Sequence, residues 1–350
     1  MKKDVLSVVV VGFGRMGKRH AAAYQALSNF DLVGICGREH QRSYAESHFP
    51  DAEFYLDAQT AITTTNANVV CVSTHVDSHE SLARTAIDNG AHVFLEKPVA
   101  QTLEESEALF AYANDNRKKI VAGYVRKHDP LWTAFVDQGK QLGSPVVIRF
   151  CVDQPSAGDE WQVHQSILKD SSLTFDCAVH YVDMMARICG AKPVGVFGRA
   201  VRLHGDPSLN GNYGFLSVEF SDGSVGSFDS AWGPMVGTKP SSIITATGPG
   251  GSVSIVSTPN RAEGEQETRD VLVYEPGMTS ESDSRDAETT QGEDIADTAG
   301  EDAFVLQQRY LYDCIANDAC MDEHYRDVLT SMRIVAAADA SVIKREMVKL

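Results

Sequence analysis

A chain of 350 residues has room for about two domains, each able to bury its own core, which excludes a small disulfide-stapled scaffold. With 43% apolar and 23% charged residues it has an ordinary globular composition, and it carries no run of 18 apolar residues of the kind that spans a bilayer, so no membrane association is expected. Thirty-one Lys and Arg against 48 Asp and Glu give a formal charge of −17, so no broad basic face is available to neutralise phosphates and no nucleic acid is expected as a partner.

Residues 5–11 (VLSVVVV) read as a strand covered on both faces, and the chain then turns through GFGRMG into the Ala-rich helix former KRHAAAYQAL. Lys2-Lys3 ahead of that strand resemble the start of a secretory leader, but Ser7 and the glycine turn that follows argue against one. Alternation continues with strands at Phe30–Cys36, Val69–Ser73, His92–Glu96 and Ile120–Tyr124 and helices at Arg38–His48, Ser78–Asn89, Leu103–Asn114 and Leu131–Gln141. Such alternation predicts a doubly wound parallel sheet, an α/β Rossmann domain over residues 1–125.

From residue 146 the apolar runs lengthen and are joined by tight Gly turns, so residues 126–350 are expected to form an α+β substrate and oligomerisation domain on a largely antiparallel open sheet. Helices are expected at Ser172–Cys189, Phe304–Ile315 and Tyr325–Arg345, the last packing back on the first domain. Between them, residues 281–302 hold nine carboxylates and one Arg, and the stretch 278–302 reads as a flexible acidic loop without chemistry. Seven widely spaced cysteines without a CxxC suggest neither a disulfide framework nor a zinc site, and a cytoplasmic location is expected. The scattered His48, His92, His128, His204 and His324 show no ligand spacing, so no metal is expected.

Gly12-x-Gly14-x-x-Gly17 follows the first strand and opens the first helix. Gly12 permits the tight turn, Gly14 lets the backbone approach a pyrophosphate, and Gly17 lets helix and strand pack closely, while the free amides of the helix end suit an anion. Phe13, Arg15 and Met16 belong to the same cofactor turn. An acidic residue about 20 positions on would hold ribose hydroxyls. Here the second strand ends instead in Ile35-Cys36-Gly37-Arg38. Gly37 leaves room for a 2′-phosphate and Arg38 offers it a guanidinium, so the cofactor expected is NAD(P), with NADP favoured; the alternatives are that Arg38 only stacks on adenine and that Glu39 serves the ribose.

Ligands of an open α/β sheet collect at the carboxyl ends of its strands, where Glu96-Lys97-Pro98 stands. Taken alone, Lys97 fits a surface lysine as well as a catalytic one. Asp176 and His180, spaced i, i+4, share one helix face, where a carboxylate can orient an imidazole; in isolation they fit a half-exposed surface pair equally well. Met184-Met185 on the same helix reads as core, and Asp183 with Arg187 as a solvated or interdomain ion pair.

Together the glycine turn and Ala91-His-Val-Phe-Leu-Glu96-Lys97-Pro98 resemble the Gfo/Idh/MocA family, the glucose-fructose oxidoreductase and inositol 2-dehydrogenase relatives. The resemblance extends over nearly the whole chain: Ser73-Thr74-His75 with His79, Arg126-Lys127-His128-Asp129-Pro130, Asp176-x-x-x-His180, and a closing helix with a Val-Lys-Leu tail. The chain departs from the common pattern at Thr74-His75, where relatives commonly have Thr-Pro, and at His180-Tyr181, where many have His-Asp.

Oxidation of a secondary alcohol needs a base, a hydride acceptor and a donor for charge on oxygen. His180 fits the general base, Asp176 its orienting partner, and Lys97 the polarising donor, roles the resemblance also implies. It further implies cofactor contacts at Ser73, Thr74, His75, His79, Glu96 and Lys97, and a substrate that is a sugar, sugar phosphate or inositol-type polyol, oxidised at a ring hydroxyl or reduced at a ring ketone. Arg126 and Lys127 match a basic position near that substrate, and Trp161, in the loop ahead of the Asp-His helix, either touches it or packs at the domain joint. Family members are usually homodimers or homotetramers. The competing expectations are a non-catalytic dinucleotide-sensing regulator and a reductase of a non-sugar ring. The dehydrogenase expectation requires the Lys97 ammonium and the His180 imidazole to meet beside the nicotinamide.

Overall fold

The computed structural model describes residues 5–237, 242–259, 268–277 and 301–350. Lys2-Lys3 and all of the acidic loop except Glu301 and Asp302 lie outside the described residues. In chain order the elements are β1 (Leu6–Val11), α1 (Arg15–Gln25), β2 (Phe30–Cys36), α2 (Arg42–His48), β3 (Glu53–Tyr55), α3 (Ala58–Thr65), β4 (Val69–Val72), α4 (His79–Asp88), β5 (His92–Leu95), α5 (Leu103–Asp115), β6 (Ile120–Ala122), α6 (Pro130–Gln141), β7 (Val147–Val152) and α7 (Gly158–Asp170). There follow a π-turn (Thr174–Ala178), α8 (Val179–Cys189), β8 (Pro193–Val201), β9 (Tyr213–Phe220), β10 (Val225–Ala231), β11 (Ser242–Gly248), β12 (Gly251–Pro259), β13 (Thr268–Pro276), α9 (Ala303–Ala316), α10 (Asp322–Lys344) and β14 (Val348–Lys349). Two compact units result, Met1–Asp129 with Glu301–Leu329, and Pro130–Gly300 with Thr330–Leu350, the division falling inside α10. No helix among the described residues is long and apolar enough to cross a membrane.

The first unit is built on a parallel sheet of order β3-β2-β1-β4-β5-β6, the doubly wound order expected of the alternation. Its centre is apolar because both faces are covered: Val8, Val9, Val10 and Val11 of β1 and all four residues of β4 are buried, each valine contributing on the order of 2 kcal/mol. The segment holding β3 and α3 is an addition to the sequence reading. β3 has only three residues, and α3 is rich in threonine, a weak helix former, so its start rests on Asp57, whose carboxylate accepts from the Thr60 amide at 2.7 Å. From the far end of the chain, α9 joins this unit, its first amides capped by Asp302 (Phe304 N to Oδ1, 3.0 Å).

The second unit carries a mixed sheet of order β13-β12-β11-β7-β10-β9-β8-β14, in which only β7 and β10 run parallel. One face is buried, with Ile148, Phe150, Leu216, Val218 and Phe228 pointing inward, while Val147, Val225 and Ile243 stand exposed on the other. Tyr181 is packed among Trp132 (ring centroids 5.9 Å apart), Phe150 (5.4 Å) and Phe228 (4.9 Å). The departure from the common His-Asp pattern at this position therefore lies in the hydrophobic core. Met184 and Met185 are buried as expected, but the Asp183–Arg187 pair (3.8 Å) is not solvated, since Asp183 is only 2% exposed.

Candidate active site

In the first unit the three glycines do three different things. Gly12 has φ +95°, and a Cβ there would stand 2.6 Å from the Ser73 carbonyl oxygen. A Cβ on Gly17 would be 1.9 Å from the Gly12 oxygen, whereas one on Gly14 would meet nothing within 4 Å. The turn is tied to the end of β4 by Ser73, whose amide donates to Val11 O (2.8 Å) and whose hydroxyl donates to Gly12 O (2.7 Å). No side chain caps α1 at Gly14, so its first-turn amides are left to an anion. Arg15 is exposed and Met16 half-buried at this end. Phe13 belongs to the turn only through its backbone, because its ring is buried against Tyr44 and Phe49. Its carbonyl accepts from Gln41 Nε2 at 2.7 Å, and Gln41 Oε1 accepts from the Arg38 amide at 2.8 Å.

Gln41 thereby clamps the glycine turn to the end of β2, a contact the sequence reading missed. A Cβ on Gly37 would meet that Gln41 oxygen at 2.7 Å, so the position is small to admit the clamp. Arg38 is exposed beside it. Glu39, the alternative ribose ligand, is engaged by Arg42 at 2.9 and 3.1 Å, and that bond holds its carboxyl below the usual range.

The β4 and β5 ends hold the remaining expected cofactor residues of this unit. Thr74 Oγ1 accepts from the Ser78 hydroxyl at 2.7 Å, and His75 is exposed. His79 is buried, with Nδ1 2.8 Å from the Pro98 carbonyl and Nε2 3.2 Å from that of Thr74, so it braces two loops; burial pushes its pKa down. Glu96 likewise turns inward: Oε1 lies 2.8 Å from His20 Nε2, and Oε2 accepts from the Lys97 amide at 3.0 Å. Lys97 itself is half-buried at the carboxyl end of β5. Of the basic pair, Lys127 is held by Asp327 at 2.7 Å, which spends its charge within the unit, and Arg126 stands half-buried in the same short turn.

In the second unit, Asp176 and His180 are the only residues from Leu173 to His180 that are not buried, so both come to one open strip of an otherwise enclosed segment. The backbone there is not the plain α-helix expected. Thr174–Ala178 forms a π-turn leading into α8, a local widening that recurs at functional sites. It is held from α10, where Asp339 accepts from Ser172 Oγ (2.7 Å) and Thr174 Oγ1 (2.8 Å), and Ser172 Oγ in turn accepts from the Phe175 amide (2.9 Å). Burial pushes the Asp339 carboxyl up, against the pull of those two hydroxyls. Trp161 is not on a loop: it lies in the first turn of α7, half-buried, with its ring 6.0 Å from that of His204 and against Gly233. Asp159 and Glu160 at the helix start and Lys169 in its last turn were the available signals for α7. Among the described residues no group of three His, Cys, Asp or Glu side chains could hold a metal ion.

Two family profiles match the chain, one described as an oxidoreductase family with an NAD-binding Rossmann fold over residues 6–124, the other as the GFO/IDH/MocA C-terminal domain over residues 134–253. The inositol 2-dehydrogenase of Burkholderia multivorans is 27% identical over 195 residues, covering 53% of this chain and 55% of that protein. The inositol 2-dehydrogenase of Rhizobium meliloti is 27% identical over 215 residues, covering 60% and 63%. The chain thus spans 55–63% of the length of these curated relatives. A solved structure of scyllo-inositol dehydrogenase from Lactobacillus casei, with bound cofactor NAD(H) and scyllo-inositol, has a TM-score of 0.75 at 18% identity over 99% of each chain, a likeness of fold.

Proposed function

The chain belongs to the GFO/IDH/MocA oxidoreductase family, and we propose that it is an NAD(P)-dependent dehydrogenase acting on a ring secondary alcohol or ketone of a sugar, sugar phosphate or inositol-type polyol. The observation that carries this reading is the uncapped glycine-turn helix of the first unit, open at Gly14; the second unit adds the segment Leu173–His180, in which Asp176 and His180 alone are not buried. The first feature fits a pyrophosphate and the second fits proton transfer.

Bound at the glycine turn, a nicotinamide dinucleotide supplies the hydride acceptor. The chain's own residues do the rest. His180 takes the hydroxyl proton, Asp176 orients the imidazole and offsets its positive charge, and Lys97 donates to the oxygen as it becomes carbonyl. The family, the named relatives and the Gly14 opening support a dinucleotide; the preference for NADP rests on Gly37-Arg38 alone. Exposed Val147, Val225 and Ile243 on the open sheet face support a homodimer or homotetramer, and the odd, widely spaced cysteines a reducing cytoplasm.

Absorbance in the reduced-nicotinamide band, followed with both dinucleotides and a panel of polyols, sugars and sugar phosphates, tests the proposal. Growth of the band with a ring polyol is the expected result; tight dinucleotide binding without turnover of any panel member overturns it in favour of a sensor. A non-sugar ring reductase would show itself by turnover indifferent to His180→Ala. In the same assay Arg38→Ala weakens NADP about tenfold or more and leaves NAD within about twofold. Equal loss for both dinucleotides removes the 2′-phosphate role.

A further inference from the structure

The imidazole of His20 is fully buried on α1, between the rings of Phe94 (4.8 Å) and Phe304 (5.2 Å). Its Nδ1 accepts from the Gln308 amide of α9 at 3.1 Å, which leaves the ring proton on Nε2 to donate to Glu96 Oε1 at 2.8 Å. The other carboxylate oxygen accepts from the Lys97 amide. On its remaining side the carboxylate is walled by Gly123 after β6, where any Cβ would come within 3.2 Å of Glu96 Oε2. A carboxylate held this way is an expensive thing to bury.

We propose that the buried His20–Glu96 pair is the positioning device of the active site, fixing the peptide from which Lys97 projects and supplying the negative charge beside its side chain. The proposal rests on the reading of Lys97 as the polarising donor. The charged and titratable groups that meet the Glu96 carboxylate are His20 from α1, Lys97, Cys71 from β4 and His79 from α4, with the Tyr24 hydroxyl behind Cys71. Burial alone would raise the Glu96 pKa; the His20 hydrogen bond, the Lys97 charge and the Lys97 amide outweigh it and hold the carboxyl below its usual range. Coulomb coupling is reciprocal, so the same carboxylate favours the ammonium form of Lys97. Cys71 and the Tyr24 hydroxyl, both buried and pushed well up, stay neutral and add no competing charge.

Carbon-13 reductive methylation of the lysines, followed by NMR titration, reads the ammonium of Lys97 directly and needs no substrate; Lys97→Arg assigns its resonance. Glu96→Gln is expected to lower the Lys97 midpoint by about one pH unit and to leave the other lysines in place. Glu96→Leu, which removes the same charge and leaves no polar group needing the His20 donor, moves it the same way should Glu96→Gln fail to fold. An unmoved Lys97 midpoint in Glu96→Gln or Glu96→Leu overturns the inference. Turnover of Lys97→Ala, measured separately with myo-inositol and NAD, decides the donor role itself, so the two failures are distinguishable.

Discussion

Lys97→Ala lowers turnover by about two orders of magnitude or more and leaves dinucleotide affinity within a few fold, and His180→Ala does the same. The magnitude follows from what each group supplies. A positioned general base contributes on the order of 10²–10⁴, and removing a single preorganised donor to a developing oxyanion costs about 10²–10³. The dissociation of effects follows from placement. The proposed dinucleotide site is the glycine turn, where Ser73 and Gln41 fix the backbone independently of either side chain. Steady-state kinetics with the best polyol from the screen, beside fluorescence titration with reduced dinucleotide, separates the two quantities. Near-native turnover of either variant removes the role assigned to that residue.

What could be read in the sequence was whatever is enforced locally. The β-branched run at Val8–Val11, the three glycines and the Ala-rich α1 each state their structure within a few residues, and the parallel sheet follows from their repetition. Elements whose stability comes from elsewhere stayed hidden. β3 is an edge strand of three residues, and α3 is threonine-rich and depends on its Asp57 cap. The π-turn is held by Asp339, 167 residues from Ser172 and 165 from Thr174, so no local pattern announces it. His20 could be seen as a polar residue on an inward helix face, but its partners Glu96 and Gln308 lie 76 and 288 residues distant.

The same logic applies to individual side chains. Glu96 and His79 were expected at the cofactor because the resemblance places them near it. The structure shows their polar atoms spent on His20, the Lys97 amide and two backbone carbonyls. Asp176 and His180 are the contrasting case, since the segment around them is buried and they are not.

Gly17→Ala should cost the first unit about 3 kcal/mol and abolish measurable dinucleotide binding. Its Cβ would fall 1.9 Å from the Gly12 carbonyl oxygen and 2.9 Å from Ser73 Oγ. Neither neighbour can yield cheaply, because that oxygen is backbone, already accepting the Ser73 hydroxyl, and Gly12 is itself packed so closely on Ser73 that a Cβ there would stand 2.6 Å from Ser73 O. Relief therefore requires α1 to move off β1, which opens a central, largely buried strand of the sheet and displaces the amides proposed to face a pyrophosphate. Gly14→Ala is the control that separates packing from binding. Its methyl meets nothing within 4 Å and its φ of −74° is ordinary, so thermal stability should hold while affinity falls, the methyl occupying the approach of the pyrophosphate. Thermal unfolding and dinucleotide titration of both variants check this. A Gly17→Ala protein as stable as the parent, or a Gly14→Ala protein with undiminished affinity, would show that these glycines do not divide the work in this way.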